Sequence, residues 1–550
     1  MENIKSIIKT FVVAALVVLG VYYFLGKNNT AIEQQNNVEL VKPEVAIEAS
    51  KNHRIHVVTP KFKGSIDLKG IKFDDLTLLE YHEEASKESP KVKLLNPNNT
   101  EIGYFSNFGC LSNDSSVTLP NAETIWRADS HNLTPDNDVD LTWDNGEGLH
   151  FHVKIEVDDD YMFSVTQTVK NNSAKDVVVM PYGLVSKMVK NKVDSSAILH
   201  EGPVGLFNGI LNEMAYEKLK DEVKVDHRNN SKGWLGISDK YWLTTVVPDS
   251  RYAFDASYNY KIVNGIDRFQ VDFLGQKIAL NKGASTNYIT HFYAGTKSIN
   301  ILDEYERTLG IDKFDHAIDF GWLYFLTKPF FVALQFIYKY TYNFGIAILV
   351  FTVLIKLIML PLANKSYASI TKMKELNPVV ARLKEKYKDD KMRFNYELMQ
   401  LYKREKINPL SGCVPIIIQI PVFFALYKVL YITIEMRHAP FFGWIQDLSA
   451  PDPTSILNFF GLAPWAAPSF LSIGILPILM GISMYAQQRL NPEPADPVQA
   501  QISKFMPLVF TVMFYNFPSG LVLYWVWNNI LSILQQLYVQ KRVKKELNRF

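Results

Sequence analysis

Cysteine is almost absent from this chain, with two in 550 residues, Cys110 and Cys413. A disulfide framework is excluded, and the topology argued below puts the two on opposite sides of a membrane, so no intramolecular bridge is expected. No G-x-x-x-x-G-K-[ST] stretch occurs, which removes the phosphate-cradling loop of P-loop nucleotide hydrolysis. Neither sign of charge prevails, with 58 Lys+Arg against 56 Asp+Glu, so overall charge points to no acidic or nucleic-acid partner. Between Leu25 and Phe344 there is no long apolar run, which leaves more than half of the chain for a domain in water.

The apolar runs that do occur lie at the N-terminus and after Phe344. Lys5 and Lys9 precede a run from Phe11 to Leu25 that resembles a secretory signal. It ends in bulky Tyr22, Tyr23, Phe24 and Leu25 without a small-x-small pair before Lys27, so residues 1–27 read as an uncleaved anchor with a cytoplasmic N-terminus. Residues 28–51 are polar, rich in Asn and Gln, and read as a linker.

From 52 to 318 the pattern is one of short alternating runs, as in HFHVKIEV (150–157), YMFSVTQTV (161–169) and RFQVDFL (268–274). Period-two alternation of Val, Ile, Thr and aromatics predicts half-buried strands, hence a large all-β sandwich outside the cytoplasm. His150 and His152 share one strand face, but spacing supplies no third metal ligand. Asp158, Asp159 and Asp160 read as a solvated turn rather than a calcium loop. In 319–342, Leu323, Leu326, Phe330, Leu334 and Ile337 form an apolar helical face interrupted by Lys328 and Lys339. That face fits the outer membrane surface or packing on the sandwich, and amphipathicity alone does not choose.

Phe344 to Leu362 is the strongest membrane signal. About nineteen residues at ~1.5 Å each reach ~28 Å, close to the ~30 Å hydrocarbon thickness. Its one charge, Lys356, needs water, a partner or a route to the interface. Residues 363–408 read as two helices joined at Asp389-Asp390, and the stretch from Ala363 to Gly412 carries twelve Lys or Arg against six Asp or Glu, which marks it as cytoplasmic. Further spans are read at Cys413–Ile434 and Leu471–Gln487. Phe505–Leu537 is too long for one crossing and folds back at Pro518-Ser519-Gly520, giving a short ascending helix and a descending one from Leu521 to Val539. The membrane-spanning core thus covers 343–540, and the basic tail 541–550 is read as cytoplasmic. Six transmembrane helices result. Lys428 lies near the outer end of its span and is read as snorkelling there.

Thr352 and Lys356 are four apart on one face, and Trp525, Asn528, Ser532 and Gln535 form a polar stripe, with Asn529 and Gln536 beside it. With Gln419 these residues either line a wet groove or hold the bundle by interhelical hydrogen bonds, and both readings fit the pattern.

GWLYFLTKPFF (321–331), LIKLIMLPLANKSY (354–367), INPLSGCVPIIIQIPVFFALY (407–427), DPVQAQISKFMP (496–507) and FPSGLVLYWVWNNILSILQQ (517–536) resemble the YidC insertase family, which is grouped with the Oxa and Alb insertases. The resemblance implies a five-helix insertase core beneath a periplasmic supersandwich in the bacterial inner membrane, with no enzyme activity, cofactor or metal. It implies a groove open to cytoplasm and lipid, with Lys356 where the family commonly has arginine, and with Thr352, Gln419 and Trp525 at groove-lining positions. Lysine keeps the charge and loses the planar fork. It further implies nascent membrane proteins as substrates, work alone or beside the Sec translocon, contact with lipid, and ribosome or targeting-machinery contact through the basic tail and the hairpin, here with Lys384, Lys386, Lys388, Lys391 and Arg393. Two rivals remain from the residues alone: a transporter of a small anion, although no internal repeat of the transporter kind is visible, and an assembly factor merely anchored by its helices.

Overall fold

The structure, a computed structural model, describes residues 40–190, 199–405, 407–408, 414–457, 473–492 and 497–547. The N-terminal anchor, most of the linker and Cys413 lie outside the described residues. The last part of the stretch read as linker is a short helix, α1 (Pro43–Ala49), with a proline in its first turn.

Residues 54–296 fold as two packed sheets, one of 11 and one of 9 strands among the described residues. Strand Leu149–Val157 shows the alternation the sequence predicts, its odd positions buried and its even ones more open. It pairs antiparallel with Met162–Asn171, which pairs in turn with Ser285–Thr296. The sheets are joined by aromatic side chains, and Phe73 of one meets Phe163 and Phe292 of the other with centroids 5.2 Å apart. Such edge-on pairs add ~0.5–1.5 kcal/mol each beyond the area they bury. A helix α2 (Tyr216–Glu222) and a helix α3 (Ile299–Leu309) flank the sandwich.

His150 and His152 do not converge on a shared ligand. Each turns to an aspartate on the neighbouring strand, His150 to Asp144 and His152 to Asp140 at 2.7 Å. The Asp158 turn is likewise only partly solvated. Asp158 accepts from the backbone of Asp160 and Met162 and from the Tyr305 hydroxyl at 2.6 Å, which fastens α3 to the sandwich.

The helical part begins with α4 (Tyr324–Thr341) and α5 (Phe344–Glu375). Tyr342 takes a left-handed conformation that ends α4, and the Asn343 side chain accepts from Ile346 N at 3.1 Å to cap α5. The two helices therefore fold back on each other, with Tyr338 stacked on Phe344 and Phe330 edge-on to Phe351. Of the face expected to meet membrane or sandwich, Phe330, Leu334 and Ile337 are instead buried against the core helices. Another face, with Phe325, Val332, Phe336 and Tyr340, is the exposed one.

Helix α5 runs 32 residues, well past Leu362. The charged hairpin proper is therefore α6 (Asn377–Lys386) and α7 (Lys391–Arg404), which Asp390 caps by accepting from Arg393 N. Lys384 and Lys386 close α6, Lys388 sits in the turn, and Arg393 lies over the Tyr387 ring at 5.7 Å. Then follow α8 (Val414–Ile432), α9 (Ile475–Arg489), α10 (Pro497–Met513) and α11 (Ser519–Leu547). The break at Pro518 falls where the sequence puts it, but α10 starts eight residues before Phe505, so the ascending helix is 17 residues rather than a stub. Among the described residues one helix, α5, is long and apolar enough to cross a membrane, and Ile417–Ile432 is a shorter apolar helix.

Candidate functional site

Among the described residues the bundle buries its side chains more fully at the end beside the sandwich than at the other. On the outer half of α8, Ala425, Leu426, Val429, Leu430 and Ile432 are buried, whereas none of Ile417 to Pro421 is. Helix α5 behaves alike: Ala347, Ile348, Phe351 and Thr352 are buried, and from Val353 to Leu362 no residue is. Helix α11 packs along α5 on one side and α9 on the other, while α8 leans on α4. The inner halves of α5 and α8 are thus less buried than their outer halves.

Lys356 lies in that unburied stretch of α5. Its Nζ donates to Ser532 Oγ at 2.7 Å, and the Ser532 hydroxyl donates onward to Asn528 O at 2.7 Å. No ion pair to Lys356 forms among the described residues. A cation with a neutral acceptor keeps most of its attraction for an incoming anion. Asn528 and Ser532 are themselves buried and form the floor beneath it.

The other expected groove residues part company. Thr352 is buried one turn outward, its hydroxyl on Ile348 O at 2.6 Å. Gln419 donates from Nε2 to the Tyr524 hydroxyl, joining α8 to α11. Trp525 sits in an aromatic cluster with Phe423 at 4.9 Å and Phe514 at 5.2 Å. The cluster lies toward the more buried end, above the Gln419–Tyr524 contact.

The polar stripe of α11 is divided between two neighbours. Toward α5, Gln535 donates to Asn364 Oδ1 at 2.9 Å. Toward α9, Asn529 donates to Ser483 Oγ and Gln536 to Asn491 Oδ1, both at 3.0 Å. The interhelical reading accounts for Asn529, Gln535 and Gln536, and Ser532 also bonds across helices, to Lys356 of α5. Sequence reasoning missed Tyr524, although it lies four before Asn528 and eight before Ser532 on the same face. It also missed Trp527, whose indole N–H donates to Leu349 O at 3.2 Å.

Lys428 does not snorkel. Its Nζ donates to Asp319 Oδ2 at 2.9 Å and Asp319 O at 3.1 Å, and the same carboxylate accepts from His200 N at 2.9 Å. This ties α8 to the sandwich, as does Ser298 Oγ donating to Glu435 Oε1 at 3.1 Å. Burial raises the Glu435 carboxyl to about 7.

An apolar helical bundle that carries a large β-sandwich at one end, with a lysine on a membrane-length helix, defines a membrane protein with a large domain outside the bilayer. The sequence patterns of two described families cover almost all of this chain: "YidC periplasmic domain" over residues 54–333 and "60Kd inner membrane protein" over 336–546. The membrane protein insertases YidC of Rickettsia canadensis and Rickettsia bellii are each 48% identical to it, over 98% of this chain and 99% of theirs. A solved active YidC insertase with its first transmembrane domain resolved is similar at 17% identity and a TM-score of 0.37, covering 96% of this chain and 98% of that one. The chain belongs to the YidC family of membrane protein insertases, inner-membrane proteins with a periplasmic β domain. The transporter and anchored-factor alternatives are not favoured.

Proposed function

We propose that this chain inserts nascent membrane proteins by admitting a short polar segment between the inner halves of α5 and α8, where Lys356 holds it while the substrate's apolar helix leaves sideways into lipid. The observation that carries this reading is the Lys356–Ser532 contact within a ten-residue stretch of α5 that has no buried side chain. In hydrocarbon each unpaired backbone group costs several kcal/mol, so a wet half-channel shortens the dry path. Burial of the substrate helix, at ~0.8 kcal/mol per CH₂, drives release. The positive charge favours acidic segments. Six crossings, both termini inside, and the basic hairpin as the docking surface for ribosome or targeting machinery complete the proposal, with action alone or beside the Sec translocon.

Insertion of test substrates with acidic tails by Lys356→Met and Lys356→Arg tests it. The arginine variant is expected to insert them and the methionine variant to lose most of the yield. A stalled nascent chain should crosslink to probes at Gln419, Tyr524 and Trp525. Equal yields from all three proteins, together with cysteines on the inner halves of α5 and α8 that cytosolic thiol reagents do not reach, would overturn it.

A further inference from the structure

Helix α4 has two apolar faces. One, with Phe330, Phe331 and Leu334, is packed into the bundle. The other keeps Phe325 at 70% and Phe336 at 60% exposure, with Val332 between them. A groove of about 620 Å³ lies along this second face, lined by Phe325, Pro329, Val332 and Phe336 and closed on its far side by Leu354 of α5. It follows α4 from Tyr324 to Ile337, ~20 Å at 1.5 Å per residue. Beyond Leu354 the same side of α5 continues as exposed Leu357 and Ile358, so the groove opens onto the flank of a membrane-crossing helix.

The lining has two polar side chains, Tyr324 and Lys328, and both are engaged by the sandwich. The Tyr324 hydroxyl donates to Asp315, and Lys328 Nζ bridges Asp315 at 2.6 Å and Asp303 at 3.0 Å. An extended peptide laid in the groove would bury its backbone N–H and C=O groups against hydrocarbon without partners, which is strongly unfavourable, whereas a helix satisfies its own backbone and is distinguished from lipid by crosslinking. A hydrocarbon chain has no such groups. Continuity with the flank of α5 supplies one from the bilayer.

We propose that this groove is a binding site for one acyl chain of an outer-leaflet phospholipid, which fills the space between α4 and α5 and covers the otherwise exposed aromatic face of α4. The site is independent of the Lys356 reading.

The test uses the full chain in nanodiscs of phosphatidylethanolamine and phosphatidylglycerol, doped with a phosphatidylcholine bearing a mid-chain diazirine. After photolysis, lipid adducts are expected on the peptide spanning 324–337 and on Leu354. Val332→Trp, which fills the groove from an exposed position, should cut the 324–337 adducts at least fivefold while those at Leu357 and Ile358 persist. Phe336→Gln is the second variant, and it should lower the same adducts. Insertion of a test substrate is measured alongside, so that failure of this site and failure of the groove at Lys356 read separately. No adducts on α4, adducts unchanged in both variants, or crosslinks from a photoreactive residue at position 332 to residues 11–25 of the chain or to a second copy would overturn the proposal.

Discussion

Replacing Lys428 by methionine keeps the length and volume of the side-chain stem and removes the charge that faces Asp319. The side chains of the pair are only 15% and 14% exposed, so the orphaned carboxylate is left with the His200 N–H and little water. Breaking a buried pair by removing one partner costs ~3–5 kcal/mol, and partial exposure puts this site near ~3. A loss of ~3 kcal/mol in local opening raises hydrogen exchange by ~100-fold, since ~1.4 kcal/mol is a factor of ten. Exchange should therefore quicken by about that factor in the peptides around 199–201 and 319–323 of the full protein in nanodiscs, with the strand amides of 162–171 unchanged. The double variant Asp319→Asn/Lys428→Met should recover ~2 kcal/mol relative to the sum of the single changes, because no charge is then stranded. A snorkelling lysine would give a nearly silent Lys428→Met. An increase below threefold, or strict additivity in the cycle, would refute the junction described above.

Three further outcomes follow from particular contacts. Glu435 holds a proton in the folded chain up to about 7, whereas its ordinary value is 4.5, so its contribution to stability is complete below 4.5 and is lost as pH rises toward 7. The total is roughly 3 kcal/mol, and Glu435→Gln should flatten that part of the stability profile when unfolding midpoints are compared at pH 5 and pH 8. Gly345→Ala would place a Cβ 2.0 Å from the Phe441 ring, so it should lower thermal stability by ~1–3 kcal/mol, with partial recovery on adding Phe441→Leu. Ser532→Ala removes the acceptor of Lys356 but keeps the charge; one net hydrogen bond is worth ~1 kcal/mol, so insertion of acidic-tailed substrates should change by no more than ~5-fold, far less than with Lys356→Met.

The sandwich was readable because period two is a local property: every second residue of Leu149–Val157 goes to the core whatever lies across from it. The turn before α11 was readable for a similar reason, since proline at 518 cannot continue a helix. Helix α4 shows where this stops. It has enough apolar residues for two faces, and periodicity marks a face as apolar without saying whether protein or lipid covers it. Lys428 shows the same limit for charge. Its partner is 109 residues away, and nothing in the span itself distinguishes a lysine bound for the headgroups from one bound for Asp319.

The candidate groove depends on that same sorting. In a membrane a polar side chain either finds a partner on another helix or faces water. Spacing on α11 identified the polar side chains but gave each the same weight. The fold assigns them one by one: Asn529 to Ser483, Gln536 to Asn491, Gln535 to Asn364, and Gln419 on α8 to Tyr524. Each such bond ties neighbouring elements together. Lys356 is sorted differently, because a hydroxyl cannot neutralise an ammonium, and no side chain from Val353 to Leu362 around it is fully buried. The bonds that sequence reasoning weighed against a groove thus fix α11 between α5 and α9 and join α8 to it at Gln419, while Lys356 keeps a charge that no described side chain neutralises.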